Sequence, residues 1–144
     1  MQIQKYMAKI SGPLLDRIDL HIEVPAVKYK ELASKDSSEQ SHKIRERVVN
    51  SRDIQMKRFA GQKGMFSNAD MQSKDIQMFC KLDSASEELL KMAITKLGLS
   101  ARAYDRILKV ARTIADLTSS PNIRPEHISE AIQYRSLDRN LWLS

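Results

Sequence analysis

Leu99 to Leu117 reads LSARAYDRILKVARTIADL, and the spacing inside this stretch decides how the rest of the chain is read. Tyr104, Ile107, Leu108, Ala111, Ile114 and Ala115 recur at helical intervals and draw one apolar stripe along a helix. The opposite side carries Arg102, Asp105, Arg106, Lys109, Arg112 and Asp116. A buried face joined to a largely basic exposed ridge is the expectation, and the ridge is the first candidate for function.

Immediately upstream, DSASEELLKMAITKL carries a second stripe of Leu89, Leu90, Ala93, Ile94 and Leu97, opened by Ser84 and Glu87 as a capping box. Gly98 suits the position past that helix's end because it takes φ > 0 without a Cβ clash, and Ser100 caps the helix that follows. The two helices joined by this Leu-Gly-Leu-Ser turn are expected to form the centre of a bundle. Further back, SKDIQMFC reads as a short helix, and Gly61 to Met71 as a loop with a turn at Asn68-Ala69-Asp70.

A longer helix is expected from near Ser38 to Ala60, opened by Ser37 and Gln40. Its apolar face is thin, consisting of Ile44, Val48, Val49, Met56 and Phe59, and the rest is charged. Such a run fits a solvated helix face, or a surface that meets phosphate or an acidic neighbour. Downstream, Pro125 opens PEHISEAIQY, whose Ile128, Ala131 and Ile132 face inward, while Trp142 is expected to pack the tail onto the bundle.

At the other end, QIQKYMAKI predicts a short helix stopped by Ser11-Gly12-Pro13. Ile18, Leu20, Ile22 and Val24 then alternate with Asp19, His21 and Glu23, the pattern of a strand ended by Pro25. One strand alone leaves its backbone donors and acceptors without partners. It needs another copy of itself or a sheet that this chain does not contain. The fold class is therefore mainly α, with one short N-terminal β-strand.

Composition narrows the functions. At 144 residues, 42% hydrophobic and 29% charged, the chain suits one globular domain and not a disordered one, and four glycines and four prolines favour helices over a turn-rich β-fold. A net charge of +6 permits an anionic partner without choosing among nucleotide, nucleic acid and acidic protein. A single cysteine, Cys80, excludes an intrachain disulfide and a thiolate metal cluster, which points to a reducing, cytoplasmic compartment. No apolar run approaches membrane-spanning length, so no membrane partner is expected.

Self-contained chemistry is missing. A P-loop needs Gly-x-x-x-x-Gly-Lys-[Ser/Thr], and no two of Gly12, Gly61, Gly64 and Gly98 have that spacing. His21, His42 and His127 are scattered and read as surface residues, so no metal site is expected. Cys80 reads as a small buried hydrophobe, and Asp16, Asp19 and Glu23 do not form a paired-carboxylate centre.

Taken together, SGPLLDRIDLHIEVP (Ser11 to Pro25), IRERVVNSRDIQ, the Asn68-Ala69 loop, LLKMAITKLGLSARAYDRILKVARTIADL and HISEAIQYR resemble the C-terminal part of the Mg chelatase-related AAA+ ATPases, in particular the ComM-like bacterial subgroup. The resemblance implies a helical lid bundle of AAA+ type: residues 1–25 as the remnant of the ATPase core, 26–41 as a linker and 42–144 as the lid. It implies that Arg17 is an arginine finger acting in trans, that Arg102 is a sensor 2 arginine at the nucleotide, and that Arg106 supports it. Arg45, Arg52, Lys57 and Arg58 become candidates for DNA contact. The complete protein would use ATP and Mg2+ and assemble as a homo-hexameric ring, with DNA as a partner. This chain, lacking the N-terminal AAA+ core, would need no cofactor and would be inactive alone. Arg17 also has local carboxylates to pair with in Asp16, Asp19 and Asp53. Three other readings stand beside the motor: a helix-turn-helix module presenting Arg102, Arg106 and Lys109 to DNA, a magnesium chelatase ATPase subunit, and a structural interaction domain.

Overall fold

The structure is a computed structural model and describes residues 9–22, 24–26 and 39–135. The expected helix over 2–10 for nearly all its length, most of the linker, and the Trp142 tail lie outside them. The mainly α bundle read from the sequence is the fold observed. A short helix, α1 (Gly12–Leu15), precedes α2 (Ser41–Arg58), a 3-10 turn (Asn68–Asp70), α3 (Ser73–Phe79), α4 (Ser84–Leu97), α5 (Ala101–Leu117) and α6 (Pro125–Gln133).

α5 is the axis. Ile107, Ala111 and Ala115 are fully buried, and α5 packs against α6, α2, α3 and the 3-10 turn. α4 lies chiefly against α6 instead, so the centre is α5 with α6 and α2, and not the α4–α5 pair expected from the turn between them. Tyr104 belongs to the expected stripe yet stays exposed, and Ala103 takes the buried place in that turn. Phe59 and Phe79 close the core beside α5, edge to face with centroids 5.3 Å apart. Cys80 is buried among these side chains, and loss of water pushes its thiol up to about 12.

The turn chemistry between α4 and α5 is as expected. Gly98 sits at φ 61°, in the left-handed region, and Ser100 Oγ accepts the Ala103 N–H at 3.1 Å. The start of α4 differs by one residue: Asp83, not Ser84, caps the helix, accepting the Ser86 N–H at 2.8 Å. A carboxylate accepts that bond more strongly than a hydroxyl, and the bond holds Asp83 below its ordinary pKa. The long helix begins at Ser41 and ends at Arg58, a shorter span than expected.

No strand forms among the described residues. Residues 18–22 run as irregular chain beside α5 and α6, with Glu23 outside the described part. The missing second strand is the physical reason. Instead of a ladder, the His21 N–H donates to the Tyr134 carbonyl at 2.8 Å. Two of the histidines read as surface residues are buried: His21, and His127, whose Nδ1 accepts the Arg124 N–H at 3.1 Å. His42 is exposed as expected.

Candidate functional site

The basic ridge of α5 divides into three environments. Arg112 and Asp116, expected on the exposed side, are 3% and 1% exposed, because α2 covers that side of the last turns. Asp116 accepts a fork from Arg58 of α2, with Arg58 Nη1 at 2.7 Å from Oδ2 and Nη2 on Oδ1. Arg112 Nε donates to the same carboxylate at 3.1 Å, and Asn68 Nδ2 at 2.8 Å. Two guanidiniums on one carboxylate leave a surplus positive charge. Carbonyls absorb it: Arg112 donates to Ser120 at 2.7 Å and Pro121 at 2.9 Å. Desolvation still draws the Arg112 pKa down, against the pull of Asp116. Gln55 extends the network by accepting the Asn68 N–H at 3.1 Å.

This cluster is a joint between α2 and α5. It explains why α2 docks through Ser51, Gln55 and Arg58 while Ile44, Val48, Val49 and Met56 of its expected apolar face remain exposed. Of the residues expected at DNA, Arg58 has its fork on Asp116, and its Nη1 also donates to Asn68 at 2.8 Å. A DNA backbone would have to break a buried ion pair to use it. No periodicity announced the cluster, since Arg112 and Asp116 lie opposite the apolar stripe. The one available signal was their i, i+4 spacing.

The second environment is a groove of about 690 Å³ along another side of α5, within the usual range for small-molecule sites. Val110, Ile114 and Leu117 contribute apolar wall, Leu20 and Ile22 close one side, and Arg102, Arg106 and Lys109 supply the basic character. Lys109 Nζ donates to the Ala69 carbonyl at 2.9 Å. Arg106 pairs with Asp19, so the place expected for a supporting phosphate contact is held by a carboxylate of the chain itself.

Arg102 is the third case. It stands exposed in the first turn of α5 and, among the described residues, has no hydrogen-bond or ion-pair partner. The first amides of a helix lack helical acceptors, and the dipole there favours negative charge. A permanently charged guanidinium beside those amides suits one end of a phosphate group. Arg17 is also exposed, donating only to the Pro13 carbonyl at 2.8 Å among the described residues. Of the remaining candidates, Arg45 and Arg52 are seven residues apart on α2 and so stand nearly in line, whereas Lys57 is turned about 140° from Arg52. All three are exposed. Among the described residues no cluster of His, Cys, Asp and Glu fit to hold a metal is present, and no helix is long and apolar enough to cross a membrane.

An all-α bundle that ends one basic helix in an open arginine, preceded by a segment carrying a second open arginine, is the class of structure these residues define. The chain belongs to the family described as magnesium chelatase, subunit ChlI C-terminal, whose model matches residues 38–135. The model for magnesium chelatase, subunit ChlI, matches residues 1–32. Within that family it is a ComM-like, Mg chelatase-related protein. It is 47% identical over 141 residues to competence protein ComM of Haemophilus influenzae, a match covering 97% of this chain and 27% of that protein. It is 42% identical over 142 residues to uncharacterized protein YifB of Escherichia coli (strain K12), with the same coverage of each, 97% and 27%. A match to Mb2921c of Mycobacterium bovis is 29% identical over 132 residues, covering 92% of this chain and 26% of that protein. The chain therefore spans about a quarter of the length of the curated relatives it matches.

Proposed function

We propose that this chain is the lid portion of an ATP-driven ring motor, supplying two arginines to nucleotide sites whose remaining parts lie in a core outside it. The observation that carries this reading is the open state of Arg102. Lys109 and Arg112 of the same ridge are bound to groups within the chain and Arg106 is paired with Asp19, while Arg102 stands at a helix N-terminus without a partner among the described residues. Exposed and unneutralised, it suits a role at the terminal phosphate, where an always-charged guanidinium offers fixed donors.

The residues fit one end of a triphosphate. Arg102 and the first α5 amides would hold it in cis or from a neighbouring copy, and Arg17 would reach a neighbour's phosphate, offsetting charge that develops on the transferred group. Nucleotide with Mg2+ supplies the phosphoryl chemistry when bound, and this chain's described residues offer phosphate contacts only. The alternating segment 18–24 would complete a core sheet, which accounts for a strand pattern with no partner strand among the described residues. An arginine acting in trans requires an assembly of copies, and the resemblance makes that assembly a homo-hexameric ring. DNA as the motor's substrate rests on the ComM-like resemblance and on the aligned, exposed Arg45 and Arg52. The helix-turn-helix reading is not favoured, since Arg106 and Lys109, which it would send into a groove, are engaged within the chain.

In the protein carrying its core, Arg17→Ala and Arg102→Ala should each remove most ATP turnover, at least about tenfold, with circular dichroism unchanged. Turnover near wild type in both variants would overturn the proposal. The isolated chain should neither hydrolyse ATP nor bind it tightly.

A further inference from the structure

Asp16 and Asp19 flank Arg17 in the sequence, and neither carboxylate is given to it. Asp19 pairs with Arg106 of α5. Asp16 lies 3.8 Å from Nη2 of Arg135, whose Nη1 also holds the Ile18 carbonyl. Arg135 is 1% exposed, so it acts as a fixed post beneath the segment, and the bond from the His21 N–H to the Tyr134 carbonyl adds a fourth tie. Arg17 sits in the middle of these ties with its side chain outward.

We infer that Arg106 and Arg135 are positioning residues for Arg17: they strap residues 16–21 onto α5 and α6 and take up the two carboxylates that would otherwise neutralise its guanidinium. A guanidinium closed in a carboxylate fork has its donors occupied and its charge cancelled, and must break that fork before it can meet a phosphate. Giving the flanking acids to two other arginines leaves Arg17 charged, presented and ready. The inference rests on the proposed role of Arg17 as the arginine that meets a neighbour's phosphate. It assigns Arg106 to the carboxylate of this chain instead of to nucleotide.

Arg135 is too deeply buried to replace without risk to folding, so Arg106 carries the test. By NMR of this chain, Nε–Hε exchange of Arg17 should be fast in the wild type, several-fold slower in Arg106→Ala as Asp19 turns to Arg17, and fast again in Arg106→Ala with Asp19→Asn. In the core-bearing protein, Arg106→Ala should lower kcat about tenfold with KM for ATP unchanged, and Asp19→Asn in that background, which removes the competing carboxylate but not the loss of the strap, should restore part of it. A raised KM that Asp19→Asn fails to rescue would make Arg106 a direct phosphate contact and overturn the inference. So would Arg17 exchange that ignores both substitutions. If Arg17→Ala leaves turnover intact while the exchange rates behave as stated, the carboxylate capture stands and the role of Arg17 in turnover falls.

Discussion

The two ends of α5 use the same side chain for opposite ends. Near the C-terminus Arg112 is sealed under α2, shares Asp116 with Arg58, and gives its other donors to the Ser120 and Pro121 carbonyls. In the first turn Arg102 is open and unpaired among the described residues. Residue type does not separate them, because both belong to one basic ridge of one helix. Neighbours separate them: α2 lies across the last turns and brings its own charge and amides, whereas the first turn borders the groove. A buried guanidinium must be matched within the fold, so it specifies docking; an exposed one is solvated and leaves its donors available.

The sharpest way to break the contrast is Asp116→Ala. Arg58 and Arg112 would then face each other without a carboxylate, and removing one partner of a buried ion pair costs about 3–5 kcal/mol. Urea unfolding should show that loss, and α2 should detach first by hydrogen exchange. A smaller effect belongs to the N-terminal end. Ser100→Ala removes the cap that accepts the Ala103 N–H and should cost about 1 kcal/mol, read by the same melts.

Acid should affect the caps. Asp83 and Asp70 are both held below their ordinary pKa, by the Ser86 N–H and by the Phe66 N–H with Ser67 respectively. A depressed carboxylate contributes stability that is fully present above its unfolded pKa, near 4, and that fades as pH falls through the lower folded value. Melting temperature should therefore hold down to about pH 4.5 and fall below it, less steeply in Asp83→Ala. The smallest change is expected from Arg102→Ala, which should alter stability by no more than about 0.5 kcal/mol because the exposed side chain has no hydrogen bond or ion pair to lose among the described residues.

How legible these regions were in the sequence follows the same division. The apolar stripe of α5, the left-handed Gly98, the Ser100 cap and Pro125 at the head of α6 were readable because each depends on residues within a turn or two of chain. The Asp116 cluster was not, since it joins Arg58, Asn68 and Arg112 across up to 58 residues and only tertiary contact shows which side of α5 is covered. The burial of His21 and His127 is hidden in the sequence for the same reason: it is decided by Tyr134 at the end of α6 and by Thr118, not by their neighbours in sequence. At the candidate site, Arg17 and Arg102 were singled out by resemblance to known motifs. Their openness, and the loss of Arg106 to Asp19, became visible only once the N-terminal segment was seen lying against α5.

In the proposed function, Arg102 meets a terminal phosphate. The most direct test of that contact is the affinity ratio for ATP over ADP in the core-bearing protein, wild type against Arg102→Ala. A charged hydrogen bond of about 1.5–3 kcal/mol to the phosphate that only ATP possesses predicts a ratio reduced about tenfold or more, with ADP affinity little changed. A ratio unaltered by Arg102→Ala would contradict it.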